Sequence, residues 1–331
     1  VTKTSPPPLR EDDVVAAIEA IVEPLAHRRI LLGIGDDAAL WQPSRSHRCT
    51  ITTDLSIEGV HFTRATMSLE DAGWRAMIAN ASDVAAMGAH PFLATVALGV
   101  PEGAGVGDVR ELYRGLAAAA RAVGLDIVGG DLSRAPVLTI GIAAVGEVRA
   151  SNVKMRAGGR PGAVVAASGE LGAARAGLDA AVNPQLLDGE LAREALRAFH
   201  RPQARCAEGR FFGASRNVQA MIDCSDGLST DLDRLCDASG CGALVERVPV
   251  SEQARAAALR LNEDPERYAL AGGEDFELLV AIAPRAFEHL ARRFETRFGR
   301  RLERIGILRA QPGIEFRGER LERSGWDHFA P

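Results

Sequence analysis

Lysine is almost missing from this chain. Only Lys3 and Lys154 occur in 331 residues, and arginine supplies the other 37 positive charges. Neither lysine closes a G-x-x-x-x-G-K-[ST] run, so there is no P-loop. A Schiff-base mechanism would have to use Lys154 or Lys3. Cysteine is sparse as well. Cys49, Cys206, Cys224, Cys236 and Cys241 are odd in number and make no C-x-x-C pair. That argues against a disulfide framework or a structural zinc site and for a reducing, cytoplasmic setting. No apolar run reaches about 18 residues, so no membrane span is expected. The opening VTKTSPPPLREDD lacks the apolar centre of a signal peptide. A net charge of −5 with no basic run argues against nucleic acid as a partner. What the chain does have is 47% hydrophobic and 25% charged residues, the balance of a soluble globular protein with a sizeable core. Its length suggests two domains.

The apolar pattern predicts an amphipathic helix over 9–28, with Glu11, Asp12 and Asp13 in its first turns. Short strands are expected at 30–33, 38–41 and 48–53, then a helix over 69–88 and a strand at 92–100. A helix over 107–123 precedes strands at 125–129 and 137–148. The stretch RAGGRPG, 156–162, is a loop and marks a boundary near residue 150. Beyond it the pattern restarts. A strand at 163–168 leads through a glycine-rich turn to helices reaching about 215. A strand at 218–222, a helix over 227–238, a strand at 276–283 and a helix over 286–298 follow, with strands at the end. Strands and helices mix without strict alternation. The fold class is therefore α+β or mixed α/β, with a domain over 1–150 and a second over 151–331.

The chemistry gathers in short acidic clusters beside glycine, serine or threonine, several at expected strand ends. They are GDDA (35–38), TTD (52–54), SD (82–83), GGD (129–131), DCSDG (223–227) and GGED (272–275). Each alone reads as a turn or a helix cap. Six in one chain point to a shared site. The first lies in LLGIGDDAAL, whose Gly33-x-Gly35-x-x-Ala38 has the spacing of a dinucleotide-binding turn. Asp36 and Asp37 fill the place where that turn would receive a pyrophosphate, and bare carboxylates there would repel it. Converging carboxylates also repel one another, by about 4 kcal/mol per pair about 4 Å apart at an effective dielectric of about 20. Cations resolve both conflicts. Asp, Thr and backbone oxygens suit Mg²⁺, which leaves positions for water and substrate phosphates. Phosphoryl transfer fits such a site, since it depends on positioning and charge neutralisation.

At these clusters the sequence resembles the thiamine-monophosphate kinase family, within the superfamily of aminoimidazole-ribonucleotide synthetase. The matching stretches run in order: GIGDDAAL, TTDLSIEGVHF, NASDVAAMGAHP, GGDLSR, DCSDGLSTDL, GGEDFELL and GWDHF. The resemblance implies the two-domain aminoimidazole-ribonucleotide synthetase-like fold, and transfer from ATP to thiamine monophosphate with several Mg²⁺ ions. It implies metal ligation by Asp37, Thr52, Thr53, Asp54, Asp83, Asp131, Asp223 and Asp226. It places Tyr113, Gly130, Asp131, Arg156 and Ser225 toward ATP. His61, Glu274 and Trp326 fall where the family contacts the thiamine substrate. It implies a homodimer whose N-terminal sheets join. The chain departs from the family at Ala163, Ala204 and Trp326, where aspartate, proline and tyrosine are usual; Trp326 keeps an aromatic face.

Individual residues carry competing readings. Asp36 or Asp37 holds metal while the other caps the turn. Asp83 stands on an expected helix among apolar neighbours, so it needs a partner. His61 could join Asp54 and Glu58 on a metal, but a hydrogen bond to phosphate suits a chain without a His/Cys cluster better. SGELGAARAGL (168–178) reads as tight turn and close packing rather than a phosphate cradle. In DLDRL, helical spacing separates Asp231 from Asp233, against an aspartyl-phosphate site. No general base is evident. The rivals to the kinase are a Mg²⁺-dependent phosphohydrolase, another ATP-dependent member of the superfamily and a non-catalytic binding module. Selenophosphate synthetase would want a reactive cysteine near the start, whereas Cys49 lies in an expected strand.

Overall fold

The computed structural model describes residues 11–23, 25–34 and 38–325. The chain divides into two compact units. One comprises the residues up to Val84 together with His90–Glu147, and the other comprises Ala85–Ala89 with Val148 onward.

The first unit begins with α1 (Glu11–Val22), followed by β1 (Ile30–Leu32), β2 (Leu40–Trp41) and β3 (His47–Ile57). Next come α2 (Leu69–Ala86), β4 (His90–Val100), α3 (Val106–Val123), β5 (Asp126–Arg134) and β6 (Thr139–Arg149). The first helix stops well short of the expected residue 28, since Pro24 follows in sequence and disfavours helix before it. A four-stranded sheet runs β3-β6-β4-β5, with β4 parallel to β5 and antiparallel to β6. Ala94, Val96, Leu98, Ile140, Ile142 and Ala144 are buried on one sheet face. Helix α2 lies on that face: a Cβ on Gly146 of β6 would meet Val84 at 2.3 Å. Helices α2 and α3 touch backbone to backbone. A Cβ on Gly73 would lie 2.2 Å from the Leu112 carbonyl, and one on Gly115 only 1.8 Å from that of Glu70. Helix α1 packs against α3.

The second unit contains β7 (Val164–Ala167), α4 (Ala173–Val182), α5 (Gly189–His200), α6 (Cys206–Gly213), β8 (Val218–Cys224) and α7 (Leu228–Ser239). These are followed by β9 (Gly242–Val245), α8 (Glu252–Arg260), α9 (Pro265–Ala271), β10 (Glu277–Ile282), α10 (Phe287–Phe298), β11 (Glu303–Arg309), β12 (Gly313–Phe316) and β13 (Glu319–Leu321). They build a seven-stranded sheet ordered β13-β12-β9-β11-β7-β10-β8. Its described pairings are antiparallel except β9 with β12. Strand β10, ELLVAI, is buried throughout because both sheet faces are covered. Leu279 and Ala281 join one apolar layer with Leu228, Leu232, Ala254 and Ala269. Leu278, Val280 and Ile282 join the other, with Phe212 and Phe294 stacked 5.3 Å apart.

Two strands run longer than the sequence pattern suggests. β3 continues to Ile57 and β5 to Arg134, so Asp54 and Asp131 lie inside strands rather than at their ends. Both strands lie at sheet edges, where polar residues are tolerated and the apolar run ends before the pairing does. All five cysteines are free. Among the described residues, no helix is long and apolar enough to cross a membrane.

Candidate functional site

Alternation along β3 sorts the TTD residues between two faces. Thr52 and Asp54 share one face, half-buried, while Thr53 points the other way and is exposed. The Thr52 hydroxyl donates to the Asp83 carboxylate of α2 at 2.5 Å. This supplies the partner that an acid among apolar helix neighbours requires. The opposite sheet face is open. Leu55 of β3 reaches the Gly141 position on β6, Gly141 pairs with Ala97 of β4, and Ala97 pairs with Asp131 of β5. Asp131 therefore shares the open face with Thr53, on the far side of the sheet from Thr52 and Asp54. Gly130 lets β5 approach β4 closely, since a Cβ there would lie 1.9 Å from the Val96 carbonyl.

Two other expected contacts belong to this unit. His61 Nδ1 accepts a hydrogen bond from the Ile57 N–H at 3.1 Å. That leaves the ring proton of the neutral imidazole on Nε2. Glu58, its alternative metal-binding neighbour, pairs with Arg64 at 3.0 Å. Tyr113 is 3% exposed on α3, and burial raises its phenol well above the ordinary value. It has the position of a core residue and offers almost no surface to a nucleotide.

In the second unit the DCSDG turn is drawn around a buried acid. Asp231, 1% exposed in the first turn of α7, accepts three successive amides: Ser225 at 3.0 Å, Asp226 at 2.9 Å and Gly227 at 3.1 Å. Burial, with Asp226 nearby, pushes its carboxyl up to about 6 despite those bonds and Arg234. Arg234 bridges Asp231 and Asp226. Asp223, next to last in β8, is buried. Asp233 faces elsewhere and pairs with Arg323 at 2.6 Å, as helical spacing requires. The sequence marks Asp231 only as half of a D-x-D pair and gives no expectation that it holds this turn. Its only local sign is its place four residues after Gly227, within reach of the amides before its own helix.

The loop carrying Arg156 is fixed by its backbone. The Arg156 carbonyl accepts from Ser239 Oγ at 2.9 Å, and Lys154 Nζ donates to the Ser215 and Val218 carbonyls at 2.8 and 2.9 Å. The Arg156 side chain is exposed. Glu274 is half-buried on the GGED segment, whose Asp275 holds the Gly172 amide at 2.6 Å and the Ala174 amide at 3.2 Å. The SGELGA stretch serves packing. Gly172 has φ +87°, and a Cβ on Gly177 would meet the Ala195 carbonyl at 2.0 Å. A cleft of about 620 Å³ opens beside α4 and α5, floored by Glu277 between Arg205 and Arg300, and among the described residues none of the expected site residues lines it. Asp36, Asp37 and Trp326 lie outside the described residues.

Among the described residues, no group of three or more His, Cys, Asp or Glu side chains is close enough to hold a metal by itself. Magnesium does not require such a cage. It is bound by one or two carboxylates with water and substrate phosphates completing the shell. Asp83 beside the Thr52 hydroxyl, with Asp54 on the same strand face, offers hard oxygen donors of that kind.

The chain matches known proteins along most of its length. Residues 35–148 match the N-terminal domain of the AIR synthase related proteins, and residues 160–319 match their C-terminal domain. The thiamine-monophosphate kinase of Synechococcus elongatus is 32% identical over 89% of this chain and 91% of its own. The crystal structure of the thiamine-monophosphate kinase from Stenotrophomonas maltophilia K279a superposes with a TM-score of 0.83 at 31% identity, covering 94% of this chain and 98% of that one. AaThiL complexed with AMPPCP and TMP superposes with a TM-score of 0.76 at 29% identity, covering 98% and 100%. The chain belongs to the thiamine-monophosphate kinase family of AIR synthase related proteins.

Proposed function

We propose that this chain transfers the γ-phosphoryl group of ATP to the phosphate of thiamine monophosphate, giving thiamine diphosphate and ADP. The observation that carries this reading is the match to thiamine-monophosphate kinases over both units, including a relative complexed with AMPPCP and TMP. The terminal phosphate oxygen of thiamine monophosphate attacks the γ-phosphorus in line, and ADP leaves. A phosphate with a second pKa of about 6 is largely ionised at neutral pH, so no general base is required.

The residues divide the work. Asp37, Thr52, Thr53, Asp54, Asp83, Asp131, Asp223 and Asp226 are the oxygen donors proposed for Mg²⁺. When bound, the metal neutralises phosphate charge and leaves the γ-phosphorus open to attack. Gly130 and Ser225 bring backbone to ATP, and Arg156 and His61 hold phosphate oxygens. Glu274 and Trp326 contact the thiamine end. Burial of Tyr113 argues against its direct role toward ATP.

We also propose a homodimer built on the open face of the four-stranded sheet. Ile51 and Leu55 on that face are 77% and 57% exposed, an apolar pair beside the small residues Ala97 and Gly141. A second copy would cover them and would place Asp131 at the joint. The five free thiols are consistent with a cytoplasmic enzyme.

The test is a product assay with purified protein, ATP, Mg²⁺ and thiamine monophosphate. Thiamine diphosphate should form, and it should vanish with EDTA or when free thiamine replaces the monophosphate. ADP produced at the same rate without any thiamine compound would instead indicate a phosphohydrolase.

A further inference from the structure

The GGED segment is strained on both sides of one acid. Glu274 has φ +64° and Phe276 φ +50°, in the left-handed region that residues with a side chain rarely occupy. Such conformations persist only where the surroundings hold them, and they gather at functional sites. Asp275 stands between the two. Its carboxylate grips the amides of Gly172 and Ala174 at the start of α4. The flanking backbone is tied to the turn after β8. The Glu274 N–H donates to the Ser225 carbonyl at 2.7 Å, and the Phe276 N–H to that of Cys224 at 2.9 Å. Gly273 permits the approach, since a Cβ there would lie 2.8 Å from the Ser225 carbonyl.

An ordinary cap does not account for this arrangement. Asp275 lies 103 positions from Gly172, and a serine or asparagine next to α4 would satisfy the same amides without half-burying a charge. Burial pushes its carboxyl up to about 7, against the pull of the amides. An acid is kept in an unfavourable place, in the middle of a strained segment, next to a residue proposed to touch substrate.

We infer that Asp275 is a positioning residue for thiamine monophosphate: by anchoring the strained GGED segment to the start of α4, it fixes the direction in which Glu274 presents its carboxylate. The inference rests on the reading of Glu274 as a substrate contact. Without the anchor, the segment relaxes toward negative φ and Glu274 turns away. Asparagine has the same shape but only one accepting oxygen, and its NH₂ would face an amide donor.

The test is a double-mutant cycle read by steady-state kinetics on Asp275→Asn, Glu274→Gln and the double variant, with folding checked by thermal melts. Asp275→Asn should raise KM for thiamine monophosphate at least tenfold while KM for ATP stays within twofold. The double variant should be no worse than Glu274→Gln alone, because the anchor acts through Glu274. If the asparagine variant does not fold, Asp275→Ser, whose shorter side chain stops short of the Gly172 and Ala174 amides, should show the same selective rise. A folded Asp275 variant with unchanged KM, while Glu274→Gln raises it, overturns the anchoring alone, as do two effects that simply multiply. An unchanged KM in Glu274→Gln overturns the substrate reading of Glu274, and the inference with it.

Discussion

Asp54 and Asp83 differ in how much of their role is visible locally. Asp54 closes a TTD run, which alone reads as a turn and gains its ligand reading from the recurring clusters and the family resemblance. Asp83, among apolar helix neighbours, calls for a partner in the sequence, but only the fold identifies it as Thr52, 31 residues earlier. Asp231 and Asp275 are harder still. An acid beside glycine reads as a turn, and for Asp275 the amides that define its role come from another element 103 and 101 positions away. Asp54→Asn should lower kcat at least about a hundredfold, the scale of losing one preorganised electrostatic stabiliser, with the thermal melt little changed. Near-normal turnover at limiting Mg²⁺ would remove Asp54 from the ligand set. Glu147 supports the fold rather than the chemistry. Both its oxygens accept from Arg29 at 2.7 Å, which holds its carboxyl below the ordinary carboxylate range. A depressed folded pKa means the stabilisation is present above the ordinary value of 4.5 and is lost as pH falls through the folded value. Glu147→Gln should therefore cost about 1–3 kcal/mol at pH 7, and the gap from wild type should narrow in melts at pH 3. An equal gap at both pH values would show that the ion pair does not set this stability.

Helices with a long apolar period, such as α3 and α10, were readable from that period alone. Strand β9, with four residues, and helix α9, with seven, are too short to show one and were not anticipated; nor was α8, whose nine residues hold only a brief apolar stripe. The edge strands were cut short for the opposite reason: their polar alternation looks like a loop once the apolar run stops. The contact between α2 and α3 rests on Gly73 and Gly115, which no periodicity identifies as packing positions. Gly115→Ala would drive a methyl into the Glu70 carbonyl at 1.8 Å. It should cost about 1–3 kcal/mol by overpacking, seen as a lower melting temperature with both KM values unchanged. A melt equal to wild type would mean that the two helices move apart freely, contrary to the packing described.

The mixed α/β class followed from strands and helices that mix along the sequence without strict alternation. The open sheet face did not, because exposure of Ile51 and Leu55 depends on which face α2 covers. If that face joins two copies, Leu55→Asp buries a charge at the joint, and light scattering should report half the wild-type mass. An unchanged mass would place any dimer contact elsewhere. The activity itself is tested most directly by following the phosphorus. With ATP labelled at the γ-phosphate, unlabelled thiamine monophosphate and Mg²⁺, label should appear in the terminal phosphate of thiamine diphosphate, one equivalent per ADP. Label released instead as inorganic phosphate, with no labelled thiamine diphosphate, would contradict the assignment of this chain as a thiamine-monophosphate kinase.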